Sequence, residues 1–494
     1  MKKWLCIVFA MLTIFIVNGC GVGNGSLEDI SKTLSTYTMD ITFDEESKTL
    51  DVNQKLEYRN LEDVVLDELY FHLYPKSFNL DAEHKPVGVL TKAKAYYNGD
   101  SEGDIIIDSV KADKDVLSMT YINNDEDFLK IELKEDLHPD EKIIIEFDYT
   151  VVIPNCNHRF GYGENAINLG NFYPIMAVYE NGEYSLNSYH SNGDPFYSDV
   201  ANYIVTIVAP EKYVIASTGS LETQNTIDGV TTSKYVAKVV RDYAFVMSEK
   251  FQVSEANIEG VNVMYYYYND ENADKSLQAS VDSVVTFSES FGKYPYSTLS
   301  VVQTNFVHGG MEYPNLVYIS DEVTGADYIN VIVHEIAHQW WYGVVGNDEY
   351  INSWLDEGLT EFSTNLFYEK NPSYGVDAEE VVKNITKSYI TFVDVYSSVL
   401  GKVDTTMNRK LDEYDTEPEY VYITYVKGNL LFNTLRDTIG ESKFMKGLQE
   451  YYEDNKFQIA TPDNIISAFE KVSNMDLTQF FDSWINGKVD IIEQ

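Results

Sequence analysis

Cysteine is nearly missing from this chain of 494 residues, which has three: Cys6, Cys20 and Cys156. The first falls in an N-terminal leader and the second at the leader's cleavage point, so Cys156 is left without a partner and the folded body is expected to lack an internal disulfide. Cys156 then reads as a small buried hydrophobe. Basic residues are scarce as well, 36 Lys and Arg against 79 Asp and Glu, for a formal charge of −43. A nucleic-acid partner requires phosphate-neutralising Lys and Arg, so none is expected. Acidity on this scale keeps a surface solvated and self-repelling, and it can also attract cationic peptides. Beyond the first twenty residues no apolar run is long enough to span a bilayer.

Aromatic residues are plentiful, with 39 Tyr, 24 Phe and 5 Trp in a chain that is 44% hydrophobic. Such a composition excludes a disordered chain and supports large packed cores, and the length favours two or three domains.

The leader occupies residues 1–19. Lys2 and Lys3 supply a positive start, and 4–17 is apolar over the length of a signal peptide rather than a membrane span. Val17-Asn18-Gly19-Cys20 resembles a bacterial lipobox, which implies cleavage before Cys20 and a lipid on its sulfur. The Gly-rich stretch that follows suits a flexible tether over 20–32. The expectation is an extracytoplasmic protein held at the cell membrane by lipid.

From 33 to 252 the pattern is strand-like, with alternation at 37–43, 69–74 and 203–208. Asn98-Gly99, Asn181-Gly182 and Asp228-Gly229 are predicted hairpin turns. This half reads as a β-rich domain. From 253 to 494 short strands (261–268, 298–303, 316–320) give way to amphipathic helices at 279–291, 430–439 and 464–472. The stretch 327–342 places Ile329, Ile332, Val333, Ile336 and Trp340 on one stripe, with Gly343 suited to end the helix. The second half is therefore α+β with a helical tail.

Within that last helix lies His334-Glu335-Ile336-Ala337-His338. Residues four apart share a helix face, so the two imidazoles can converge on one ion. Glu335 sits about 100° round, where a general base for a zinc-activated water belongs. Further on, Trp354-Leu355-Asp356-Glu357-Gly358 brings Glu357 on what reads as the next helix. Two imidazoles and one carboxylate leave the fourth zinc position open, the catalytic rather than the structural arrangement. The competing readings are a hydrogen-bonded pair of core histidines and a surface helix acid.

These two motifs together resemble the gluzincin peptidases, specifically the M1 family of zinc aminopeptidases. The resemblance extends to Gly309-Gly310-Met311-Glu312, similar to the family's amine-recognition strand, and to Tyr425-Val426-Lys427-Gly428, similar to its catalytic tyrosine segment. Fainter likenesses occur at 193–197, 291–296 and 480–484. The resemblance implies an N-terminal all-β, saddle-like domain followed by a thermolysin-like α+β catalytic domain with a helical C-terminal tail. It implies one Zn2+ per chain on His334, His338 and Glu357, and removal of N-terminal residues from peptide substrates. Glu335 would be the general base and Tyr425 the oxyanion donor, with Tyr422 the alternative tyrosine. Gly309, Gly310, Met311 and Glu312 would bind substrate, the carboxylate of Glu312 pairing with a free α-ammonium. Glu361, one turn after Glu357, is either a histidine's partner or an exposed acid.

The sequence departs from the family at Tyr313, where Asn is usual, and in 168–174, which lacks the Gln or Glu that helps hold the amine. The chain also runs only a few residues beyond Trp484, so a more open cleft is expected. A zinc endopeptidase and a non-catalytic surface binding module are the alternative functions. No protein partner can be inferred.

Overall fold

The computed structural model describes residues 26–401 and 403–489. The signal peptide, the lipobox and Cys20 lie outside the described residues. Among the described residues no helix is long and apolar enough to cross a membrane.

The first half is built on an eight-stranded sheet. Its strands run in the order Ser220–Ile227, Val230–Val240, Ala201–Pro210, Thr36–Asp44, Thr49–Arg59, Lys142–Val152, Asp104–Ala112 and Asp115–Val116. Thr36–Asp44 and Ala201–Pro210 pair in parallel although about 160 residues separate them. Buried and less buried residues alternate along Thr49–Arg59, so one face of the sheet must be covered. Two four-stranded sheets cover it. Asp228-Gly229 turns the hairpin between Ser220–Ile227 and Val230–Val240, and Asn181-Gly182 turns a shorter one. Asn98-Gly99 does not make a hairpin; it follows the short helix Lys92–Ala95 and leads into Asp104–Ala112. Its turn is local, because no strand precedes it.

The second half opens with a five-stranded sheet, in the order Gln252–Ile258, Val261–Tyr267, Thr298–Thr304, Leu316–Ser320, Gly310–Met311. The two-residue strand Gly310–Met311 is the edge, antiparallel to Leu316–Ser320. Ala273–Ser290, Ala326–Ala337 and Glu349–Lys370 follow as helices, and from Ala378–Leu400 onward the chain is almost wholly helical.

The helix expected over 327–342 ends at Ala337, with His338 as its last helical residue. Bonds from Gln339 N to Ile336 O and from Trp340 N to Ala337 O then tighten the chain into turns. Trp340 and Trp341, which follow, are both fully buried. Trp340 donates to Gly292 O and Trp341 to Ser363 Oγ.

The halves meet through buried polar bonds. Asn305 Oδ1 accepts from Asn165 N and Ala166 N, and Tyr313 Oη donates to Asn171 Oδ1 at 2.6 Å. Arg241 donates to Tyr342 O and Gln458 O. Cys156 is fully buried, and burial pushes its thiol up to about 12.

Candidate active site

Ala326–Ala337 and Glu349–Lys370 pack so that three ligating atoms meet. His334 Nε2 and His338 Nε2 are 3.1 Å apart, and Glu357 Oε2 lies 3.3 Å from each. Ligands held tetrahedrally at ~2.0–2.1 Å sit ~3.3–3.4 Å from one another, the size of this triangle. Two facing imidazole nitrogens at this distance can share a proton or an ion. Glu357 Oε2 is buried and aligned for a hydrogen bond with neither histidine. The donor set thus fits a zinc ion.

The outward nitrogens are fixed too. His338 Nδ1 is 2.7 Å from Asp356 Oδ1, and His334 Nδ1 is 3.1 Å from Glu361 Oε1. Carboxylates behind both rings select the tautomers that turn Nε2 toward the ion. Asp356 was given no role from the sequence, although it adjoins Glu357; its signal is an acid at an interior position of a buried helix. Burial works against the charge of Glu357, yet His338 and His334 hold its carboxyl down at about 2.

Glu335 is buried, and its Oε2 has no partner. Burial, with Glu357 and Asp194 nearby, pushes its carboxyl up to about 7. An ion at the triangle would draw it back toward ionisation. A Cβ on Gly310 would sit 2.3 Å from Glu335 Oε1, so the carboxyl can lie against the edge strand only because that residue is glycine. A Cβ on Gly309 would make ordinary contact with Val331 at 3.6 Å, and the Gly309 carbonyl accepts from Ser320 N. Met311 is buried, its sulfur 3.0 Å from Arg159 Nε. Glu312 lines the same cleft, nearly fully buried, with Oε1 unpartnered.

Tyr425 lies in a π turn, Tyr422–Val426, and donates its hydroxyl to Glu357 Oε1. Such turns re-aim side chains at functional sites. Tyr422 points elsewhere, stacked on Phe392 at 4.4 Å. Two glycines set the approach of these elements: a Cβ on Gly358 would be 2.9 Å from Gly428 Cα, and one on Gly428 2.7 Å from Gly358 Cα. The glycines that end the Glu357 and Tyr425 motifs therefore touch, which brings the carboxylate and the phenol together.

The cleft holds about 560 Å³ and is walled from the first half by Thr91, Arg159, Ser191, Asn192, Gly193 and Asp194. The segment 168–174 does not reach it: Asn168 bonds to His158 O and Asn305 O, and Asn171 to Asp242. The Tyr313 hydroxyl lies where a Cβ on Gly170 would stand. Arg159 and Asp194, an ion pair, are the first half's charged contribution.

Residues 276–484 match the family description "Peptidase family M1 domain". Glutamyl aminopeptidase of Sus scrofa is 24% identical over 309 residues, 58% of this chain and 32% of that protein. Aminopeptidase N of Lactococcus lactis is 26% identical over 266 residues, 49% of this chain and 30% of that one. The chain thus spans about a third of the length of the curated relatives it matches. Among solved structures, an M1 zinc metallopeptidase from Deinococcus radiodurans superposes with a TM-score of 0.63 at 15% identity, covering 92% of this chain and 94% of that one. A mutant of the Deinococcus enzyme bound to a Tyr-Ser-Ala substrate gives the same score. The likeness to peptidase family M1 thus rests on residues 276–484, and the likeness that spans nearly the whole chain is one of fold.

Proposed function

We propose that this protein is a zinc aminopeptidase with one ion per chain, held by His334, His338 and Glu357. The carrying observation is the triangle of 3.1–3.3 Å between their ligating atoms, with a buried, unpartnered carboxylate oxygen beside it. Zinc there would supply Lewis-acid activation of a water and of the scissile carbonyl.

The remaining work falls to the chain's own side chains. Glu335 takes the proton of the attacking water on its free Oε2 and returns it to the leaving nitrogen. Tyr425 turns its hydroxyl from Glu357 to the developing oxyanion. The edge strand Gly310–Met311 offers main-chain hydrogen bonds to an extended peptide. Glu312 pairs with the free α-ammonium, which limits cleavage to the first residue.

Release of aminoacyl reporters by the zinc-loaded protein, with no cleavage of the same peptides after N-acetylation, is the expected outcome. Equal cleavage of free and acetylated peptides would remove the role of Glu312 and make the protein an endopeptidase. The lipid-anchored, extracytoplasmic location rests on Val17-Asn18-Gly19-Cys20. Loss of membrane association on Cys20→Ala tests it.

A further inference from the structure

Behind Glu312 the cleft wall contains two more acids that the proposed reaction does not use. Asp194 comes from the first half, and Glu349 from the first turn of the helix that carries Glu357. One carboxylate oxygen from each of Asp194, Glu312 and Glu349 lies within 4.8 Å of the other two. All three residues are more than nine-tenths buried. Clustering alone means little, but the buried Glu312 Oε1 has no hydrogen-bond partner, and Glu349 Oε1 has none in hydrogen-bond geometry although Asp356 lies against the same carboxyl. Unpartnered buried carboxylate oxygens are costly, and a bound cation would relieve that cost.

Arg159, paired with Asp194, is the one cation against the three. The donors are all oxygen, and this favours a hard ion over zinc. Oxygens around Ca2+ lie at ~2.3–2.6 Å, so opposite ligands are up to ~5 Å apart, a span that the trio satisfies.

We propose that Asp194, Glu312 and Glu349 form a second site for a hard divalent cation such as Ca2+, where the ion competes with the substrate's α-ammonium for Glu312. The competition rests on the amine role given to Glu312 above; the site itself does not. Asp194 and Glu312 line the open cleft, so the ion enters by the substrate's route. With one arginine already in the trio, affinity falls in the weak range of extracellular calcium modules, ~10⁻⁴–10⁻³ M.

The test uses the zinc-loaded full chain, equilibrium dialysis with radioactive calcium, and aminoacyl-reporter kinetics across the same CaCl2 range. Glu349→Gln and Asp194→Asn are compared with the unaltered protein, so that calcium on the acidic surface cancels. The expected result is one calcium ion per chain lost in each variant, with KM rising several-fold with CaCl2 and kcat unchanged in the unaltered protein. Equal calcium uptake by all three proteins overturns the site. A difference in uptake without any rise in KM keeps the ion and overturns the competition, together with the amine role of Glu312. A difference in uptake in a protein that releases no aminoacyl reporter keeps the site and overturns the proposed function instead.

Discussion

Two acidic cavities open in the second half of this molecule. One, of about 690 Å³, lies between 269–282 and 321–329 and contains Asp270, Asp282 and Asp321. The other, of about 560 Å³, contains His334, Glu335, His338, Glu357 and Glu312. In the larger cavity the acids are satisfied from within. Asp270 accepts from Tyr265, Ser276 and Asn272 N; Asp282 from Gln278 and Tyr374; Asp321 from Tyr268 and Asn305. In the smaller one Glu312 Oε1, Glu335 Oε2 and Glu357 Oε2 are buried without a partner. Size and acidity do not separate the two cavities; the clustering of three unsatisfied buried carboxylate oxygens in the smaller one does.

The sharpest way to break this contrast is to neutralise an unsatisfied oxygen. Glu335→Gln is expected to lower reporter turnover by ~10²–10⁴-fold, the worth of a positioned base. Zinc content, measured on the same sample, should stay at the unaltered level. Turnover that survives this change would show that the free oxygen of Glu335 has no chemical use. Tyr425→Phe comes next, with a loss of ~10²–10³-fold in kcat as for other single oxyanion donors. Tyr422→Phe should cost nothing measurable in kcat, since Tyr422 stacks on Phe392 away from the cleft. The reverse order of the two tyrosines would reassign the donor.

Much of this was legible before any coordinates, and the reason is local. His334 and His338 share a helix face whatever surrounds them, and short motifs around Glu357 and Tyr425 carry their own glycines. Strand alternation at 37–43 and 203–208 was plain as well, because one face of that sheet is buried. What could not be read was pairing across long distances. The parallel contact of Thr36–Asp44 with Ala201–Pro210 has no local signal. Arg159 and Asp194 meet the cleft only through the docking of the two halves. The same holds for Tyr313, whose hydroxyl packs on Gly170. The early end of the helix at Ala337 had no signal in the apolar stripe, which runs on to Trp340.

Smaller effects refine the contrast. Asp356→Asn leaves the triangle's own atoms untouched but removes the carboxylate from His338 Nδ1. Zinc affinity in a chelator competition is expected to fall ~10–100-fold. Unchanged affinity would mean that Thr360 Oγ1, 3.1 Å from the same nitrogen, suffices to orient the ring. Gly358→Ala forces a methyl group into backbone, 2.9 Å from Gly428 Cα. Overpacking of this kind costs ~1–3 kcal/mol, read as a lower denaturation midpoint.

The weakest change is predicted in the larger cavity, and it bears on the whole comparison. Asp282→Asn keeps an oxygen that can accept from Tyr374 and loses part of an internal network. A net hydrogen bond is worth ~0.5–1.5 kcal/mol, so a small drop in stability is expected. Reporter kcat and KM should not move. The cavity is the roomier of the two and lies beside the loop 321–325 that leads into the metal helix, so a substrate role would show itself in KM. If KM rose in this variant, satisfied carboxylates could no longer be taken as a sign of a purely structural cavity.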